Sequence, residues 1–149
     1  VRRAVRRTAA ALAAALALTG CVGPSRTDRD YGEKVEGTAK AVASAAQTAL
    51  VGVNTVAKGN AYAPYLSILL RDAEDEATSA QATLDVVQPP SRDADAMHDE
   101  VAEVVTGVVE VLRALRIEVR RGHLSRLAEI AEPLTGLAER LDAIAEERT

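Results

Sequence analysis

The chain has 149 residues, with 18 Lys+Arg against 22 Asp+Glu, a formal net charge of −4, one Cys, three Tyr, and neither Phe nor Trp. That length suits one small domain. An acidic chain with no basic stripe and no interleaved aromatics is no nucleic-acid reader, and a lone cysteine excludes an internal disulfide.

The first residues read VRRAVRRTAAALAAALALTGC. Arg2, Arg3, Arg6 and Arg7 make a positive start, and Thr8 to Thr19 make an apolar stretch of the length found in export signals. A spanning helix needs about 20 apolar residues to cross the hydrocarbon core. This run is shorter, and small polar residues follow it. Residues 1–20 are therefore expected to be a cleaved signal peptide. The residues after Arg6-Arg7 fit the twin-arginine pattern poorly, so the export route stays open.

Leu18-Thr19-Gly20-Cys21 resembles the lipobox of bacterial lipoproteins. The resemblance implies that the Cys21 thiol receives a diacylglyceryl group, that the signal is cut before it, and that the new amino group is acylated as well, as with palmitate. Two or more acyl chains hold a protein on a bilayer stably, where one gives marginal binding. The expected location is the extracytoplasmic face of the cell membrane. An acidic body is repelled by anionic lipid, so the membrane contact is expected to belong to the lipid anchor. Lys34, Lys40 and Lys58 are the only lysines, set against many arginines, alanines and valines, which suggests a GC-rich genome. The whole chain resembles the small helical lipoproteins of actinobacteria, a likeness that implies no particular activity.

Residues 21–31 read as a lipidated tether, with Gly23, Pro24 and Ser25 and no apolar period. Residues 32–149 then read as the folded domain.

Four apolar seams follow, each alternating spacings of four and three as a helix packed along its length requires. The first is Val35, Ala39, Val42, Ala46, Ala49, Val53, Val56, with Gly59-Asn60 as its stop. Pro64 suits the first turn of the second, whose seam is Leu66, Leu70, Ala73, Ala77, Ala80, Leu84, Val87. Pro89 and Pro90 end it, and Ser91 or Asp93 can cap the third. The third seam is His98, Val101, Val105, Val108, Leu112, Leu115, Val119, closed by Gly122. Its β-branched run resembles a strand locally, but the sustained helical spacing decides for helix. Gly107 in its middle costs about 1 kcal/mol relative to Ala. The fourth seam is Leu127, Ile130, Leu134, Leu137, Leu141, Ile144, with Pro133 beside it predicting a kink. Four such segments with short connections predict an all-α, antiparallel up-down four-helix bundle.

Helix bundles often hold metals. A di-iron bundle needs Glu-x-x-His on two helices, and Asp95-x-x-His98 is the nearest approach. His98 and His123 bracket the third helix, about 37 Å apart at 1.5 Å per residue, too far to share an ion. Each is expected to cap a helix or to be solvated. Asp72, Asp75 and Glu76 share one helical face, but calcium takes six to eight oxygens from a bent loop, so a solvated face is expected. No nucleophile elbow, phosphate loop, dinucleotide fingerprint or haem-attachment motif is present. No enzyme, metal or cofactor is therefore expected. The expected role is an interaction or support module for a membrane or envelope protein. The alternative is a small-ligand or ion carrier using the bundle interior. The alanines of the first two seams pose one further question, whether they pack two helices tightly or leave a groove.

Overall fold

The computed structural model describes residues 27–59 and 61–147. Leu18 to Cys21, the signal and the first part of the tether lie outside the described residues, as does Asn60. The described residues are all-helical with no strand among them, in four helical stretches of which the fourth is broken.

Helix α1 spans Asp28–Ala57. Thr27 begins it: its hydroxyl accepts from the Asp30 backbone N–H at 3.1 Å, satisfying one of the donors a helix start leaves open. Asp28 and Asp30 favour the positive end of the helix dipole. The tether expected through residue 31 is thus shorter. Tyr31 is already in the core at 0 % exposure, because it lies one turn before Val35 on the same face.

Helix α2 spans Ala63–Asp85, with Pro64 in its first turn, and it ends ahead of Pro89. Helix α3 spans Arg92–Arg121. Ser91 rather than Asp93 is its cap, accepting from the Ala94 N–H at 3.1 Å. Gly122 closes it at φ 79°, a left-handed conformation that a side chain would strain. A 3₁₀ turn, Leu124–Arg126, leads into the short α4, Leu127–Ala131, and α5 spans Pro133–Glu146. At the position of the kink expected at Pro133 the helical hydrogen-bond ladder is interrupted at Glu132, whose backbone stays in the right-handed helical region at φ −50° and ψ −46°. Proline has no N–H to give to the carbonyl of Glu129, and its ring fits a first helical turn, so a new helix starts there.

The seams form the core. Val35, Ala39, Val42, Ala46 and Ala49 of α1 are fully buried, as are Leu66, Leu70 and Ala77 of α2. Val101, Val105, Val108, Leu112 and Leu115 of α3 join Leu134 and Leu141 of α5 at 0 %. Val56, Ala80, Ile130 and Leu137 are only partly buried against this cluster. Two glycines mark close approaches. A Cβ at Gly52 would meet Leu66 Cδ1 and Leu69 Cδ2 at 3.0 Å, and one at Gly107 would meet Leu137 Cδ2 at 3.3 Å. The helical cost of Gly107 therefore has a packing reason.

Helix α1 packs against α2, α3, α4 and α5, and α3 packs against α2, α4 and α5. The first turns of α1 and α3 lie together: Ser91 Oγ donates to Asp28 Oδ1 at 2.6 Å, and Tyr31 reaches His98. Further along, Gln81 bonds Thr106 and Gln47 bonds Asp142, each at 3.1 Å.

Candidate functional site

Helix α2 carries apolar residues off its seam. Leu66 and Leu70 point inward, which turns Tyr65 and Ile68 outward and leaves Leu69 at the shoulder facing α1. Tyr65 and Ile68 are 58 % and 55 % exposed. Opposite them, α1 offers Val51 at 65 % exposure, flanked by the small Ser44 and Thr48. Short side chains on one helix facing large ones on the other leave a groove.

The groove has two lobes. One, about 250 Å³, lies among Thr48, Tyr65, Ile68, Leu69 and Glu76, with Ala73 in its lining. The other, about 340 Å³, lies among Ser44, Gln47, Thr48, Val51, Tyr65 and Leu69. Thr48, Tyr65 and Leu69 belong to both, so the lobes adjoin. Tyr62 stands beyond, almost fully exposed. In a chain without Phe or Trp, two of the three tyrosines are thus on the surface beside this groove. Tyrosine pairs a large apolar ring with a polar tip, and it is enriched where proteins meet. Sequence periodicity passed over Val51, Tyr65 and Ile68 because they lie off the seams. That same off-seam placement of large apolar residues was the available signal.

Of the seam alanines of α1 and α2 only Ala73 reaches the groove lining. Ala46, Ala49 and Ala77 are fully buried, and the approach at Gly52 shows the two helices in tight contact. A separate cleft of about 380 Å³ lies where Val56 and Ala57 meet Leu124, Ser125, Leu127 and Ala128.

The acidic face of α2 divides in two. Asp72, Asp75 and Glu76 are exposed, as the spacing predicts. Asp72 pairs with Arg71 at 2.9 Å, while Asp75 and Glu76 form no ion pair among the described residues. Glu74 is buried instead, since it lies one turn after Leu70 on the inward side. Arg116 holds it at 2.5 Å between Nε and Oε2 and donates from Nη2 to Oε1 at 3.3 Å, with Arg113 at 3.5 Å. Two helices are joined by this cluster.

Glu118 is the second buried carboxylate. It lies 2.8 Å from His123 Nδ1 and accepts from Arg121 at 3.0 Å and Arg126 at 3.5 Å. The bond to His123 holds its carboxyl below the usual range, and the bond to Arg121 adds to this against the opposing effect of burial. The cluster lies on the Gly122 turn, where the His123 N–H also donates to the Glu118 carbonyl.

His123 is exposed, as expected, and also bonds Glu118, whereas His98 is half-buried. His98 Nδ1 lies 2.8 Å from the Tyr31 hydroxyl, and His123 serves Glu118. The expectation fell short for His98, because periodicity places a residue on a face and says nothing of the polar partner awaiting it there. Asp95 is exposed near His98. Among the described residues no three His, Cys, Asp or Glu side chains are grouped to hold an ion, and no helix is long and apolar enough to cross a membrane. Cys21 lies outside the described residues. Comparison with protein-family models, with curated proteins and with solved structures finds no match.

Proposed function

We propose that this chain is a lipid-anchored protein of the extracytoplasmic membrane face, folded as an antiparallel up-down four-helix bundle, that holds a membrane or envelope protein on its α1–α2 face. The observation carrying the interaction is the two-lobed α1–α2 groove with Val51, Tyr65 and Ile68 exposed along it. Exposed apolar side chains gathered in one place mark interaction sites more often than scattered ones do.

Several pairings support the topology. Gly52 meets Leu66 and Leu69, Gln81 meets Thr106, and Val56 and Ala57 meet Leu124 to Ala128, so sequence neighbours run in opposite senses. Tyr31 with His98 puts the starts of α1 and α3 at one end.

Leu18-Thr19-Gly20-Cys21 supports the anchor. Residues 22–27 span at most about 20 Å when extended. Ser44 to Val51 lie about 25–35 Å along α1 from Asp28. With α1 standing away from the bilayer, an anchored domain would present the groove clear of the lipid, to the soluble part of a partner.

The carrier alternative requires space in the interior. Those positions are filled by Val, Leu and Ala side chains at near-zero exposure, which favours interaction at the surface. No residue is assigned a catalytic role. The anchor is tested by fractionating cells fed labelled palmitate. Wild type should take label and stay with membranes, and Cys21→Ala should do neither while remaining folded. A variant that stays membrane-bound beside an unlabelled wild type would remove the lipoprotein reading.

A further inference from the structure

We infer that the occupant of the α1–α2 groove is an amphipathic helix of another protein whose apolar stripe is flanked by Lys or Arg. This rests on the reading of that face as the working surface. The groove sets the shape of its guest. Ser44 to Val51 cover two turns of α1, about 11 Å, and the lining sets Val51, Tyr65, Ile68 and Leu69 among the polar Ser44, Gln47 and Thr48, with no strand among the described residues to offer an edge. Such a channel takes a helix through anchors at i, i+3/i+4 and i+7.

Charge sets the chemistry. Tyr65, Ile68 and Leu69 make the apolar wall, and Glu76 stands at its end with no ion pair among the described residues. Asp75 is likewise unpaired beside it, and Asp72 shares its charge only with the exposed Arg71. Lys40, on the outer side of α1, is engaged by Glu36. The groove thus has an apolar wall on α2, a mixed polar and apolar wall on α1, and a net negative rim. A second copy is disfavoured on the same ground: with a formal net charge of −4, laying this face on itself would set carboxylates against carboxylates. Anionic lipid meets the same repulsion. A guest bearing apolar anchors and basic flanks satisfies both halves of the surface.

The test uses three fluorescein-labelled 18-residue peptides: one with a Leu stripe and Lys elsewhere, one with the same stripe and Glu, and one of Lys and Gln without Leu. Each is titrated with the full chain carrying Cys21→Ala, so that no lipid competes for the peptides. The Leu/Lys peptide should bind at least tenfold more tightly than either other. Replacing Tyr65 and Ile68 together by Ser should weaken it fivefold or more, and Asp72→Asn with Glu76→Gln threefold or more. All four side chains are exposed, so melting should hold. Equal binding of the Leu/Glu peptide, or affinity within twofold in both double variants, would overturn the inference. So would a dimer, or pelleting with phosphatidylglycerol vesicles, that the Tyr65/Ile68 change abolishes. If a membrane partner is still lost in that variant while the peptides fail, only the guest's chemistry is wrong and the working face stands.

Discussion

The Tyr31 hydroxyl lies 2.8 Å from Nδ1 of His98, joining the first turn of α1 to the first turns of α3. Tyr31 is fully buried. Tyr31→Phe keeps the ring and loses the bond, so it should cost about 1 kcal/mol in urea unfolding. Tyr31→Ala should cost roughly 3–5 kcal/mol through the cavity it leaves. Burial raises the hydroxyl's pKa above its ordinary 10.0, and the Asp95, Asp99 and Asp85 charges add to this. The folded state therefore holds this proton more tightly than the unfolded chain. The resulting stabilisation is complete below pH 10 and is lost as pH rises through the raised value. Urea titrations of wild type and Tyr31→Phe should converge in that alkaline range.

Glu118 acts at the opposite end of the pH scale. His123 and Arg121 hold its carboxyl low, so the folded state releases this proton more readily than the unfolded chain. That contribution is present above the ordinary carboxylate range and is lost as pH falls through the depressed value. Glu118→Gln should be less stable than wild type at pH 7, and the gap should close on acidification toward pH 3. A constant gap would show that the carboxylate's charge is irrelevant.

Glu74 and Arg116 should respond unequally to removal. Arg116→Met leaves a buried carboxylate with only the distant Arg113, and should cost roughly 1–3 kcal/mol. Glu74→Met leaves an arginine that can reach water, and should stay within about 1 kcal/mol of wild type. Chemical unfolding of the two variants measures the asymmetry.

The alanine seams answer the question the sequence posed. Ala46→Leu and Ala77→Leu add volume where the side chains are at 0 % exposure and α1 and α2 are already close at Gly52. Each should destabilise by roughly 1–3 kcal/mol and leave recovery of a groove-bound partner unchanged. Unchanged or raised melting would show spare volume between the helices.

Periodicity was enough to place the four helical stretches and most of their inward residues, because burial of one face is what a 3.6-residue repeat records. It passed over polar residues on that same face. Tyr31, Glu74 and Glu118 each lie a turn from a seam residue, Val35, Leu70 and Leu115, yet a carboxylate reads as solvated until its partners are known, and those of Glu74 come from another helix while those of Glu118 gather only when the chain turns at Gly122. The groove was only half legible, through the off-seam Tyr65 and Ile68, for a related reason. It depends on Ser44 and Thr48 facing Tyr65 and Ile68 across two helices, and no single helix carries that pairing.

The central claim is that an anchored protein works through its α1–α2 face. The direct measurement is recovery from crosslinked, solubilised membranes of wild type and of the Tyr65→Ser, Ile68→Ser variant, at equal expression and equal membrane retention. The account predicts one envelope protein recovered in fixed proportion with wild type and lost with the variant, whose melting is unchanged. Equal recovery with both chains would contradict it.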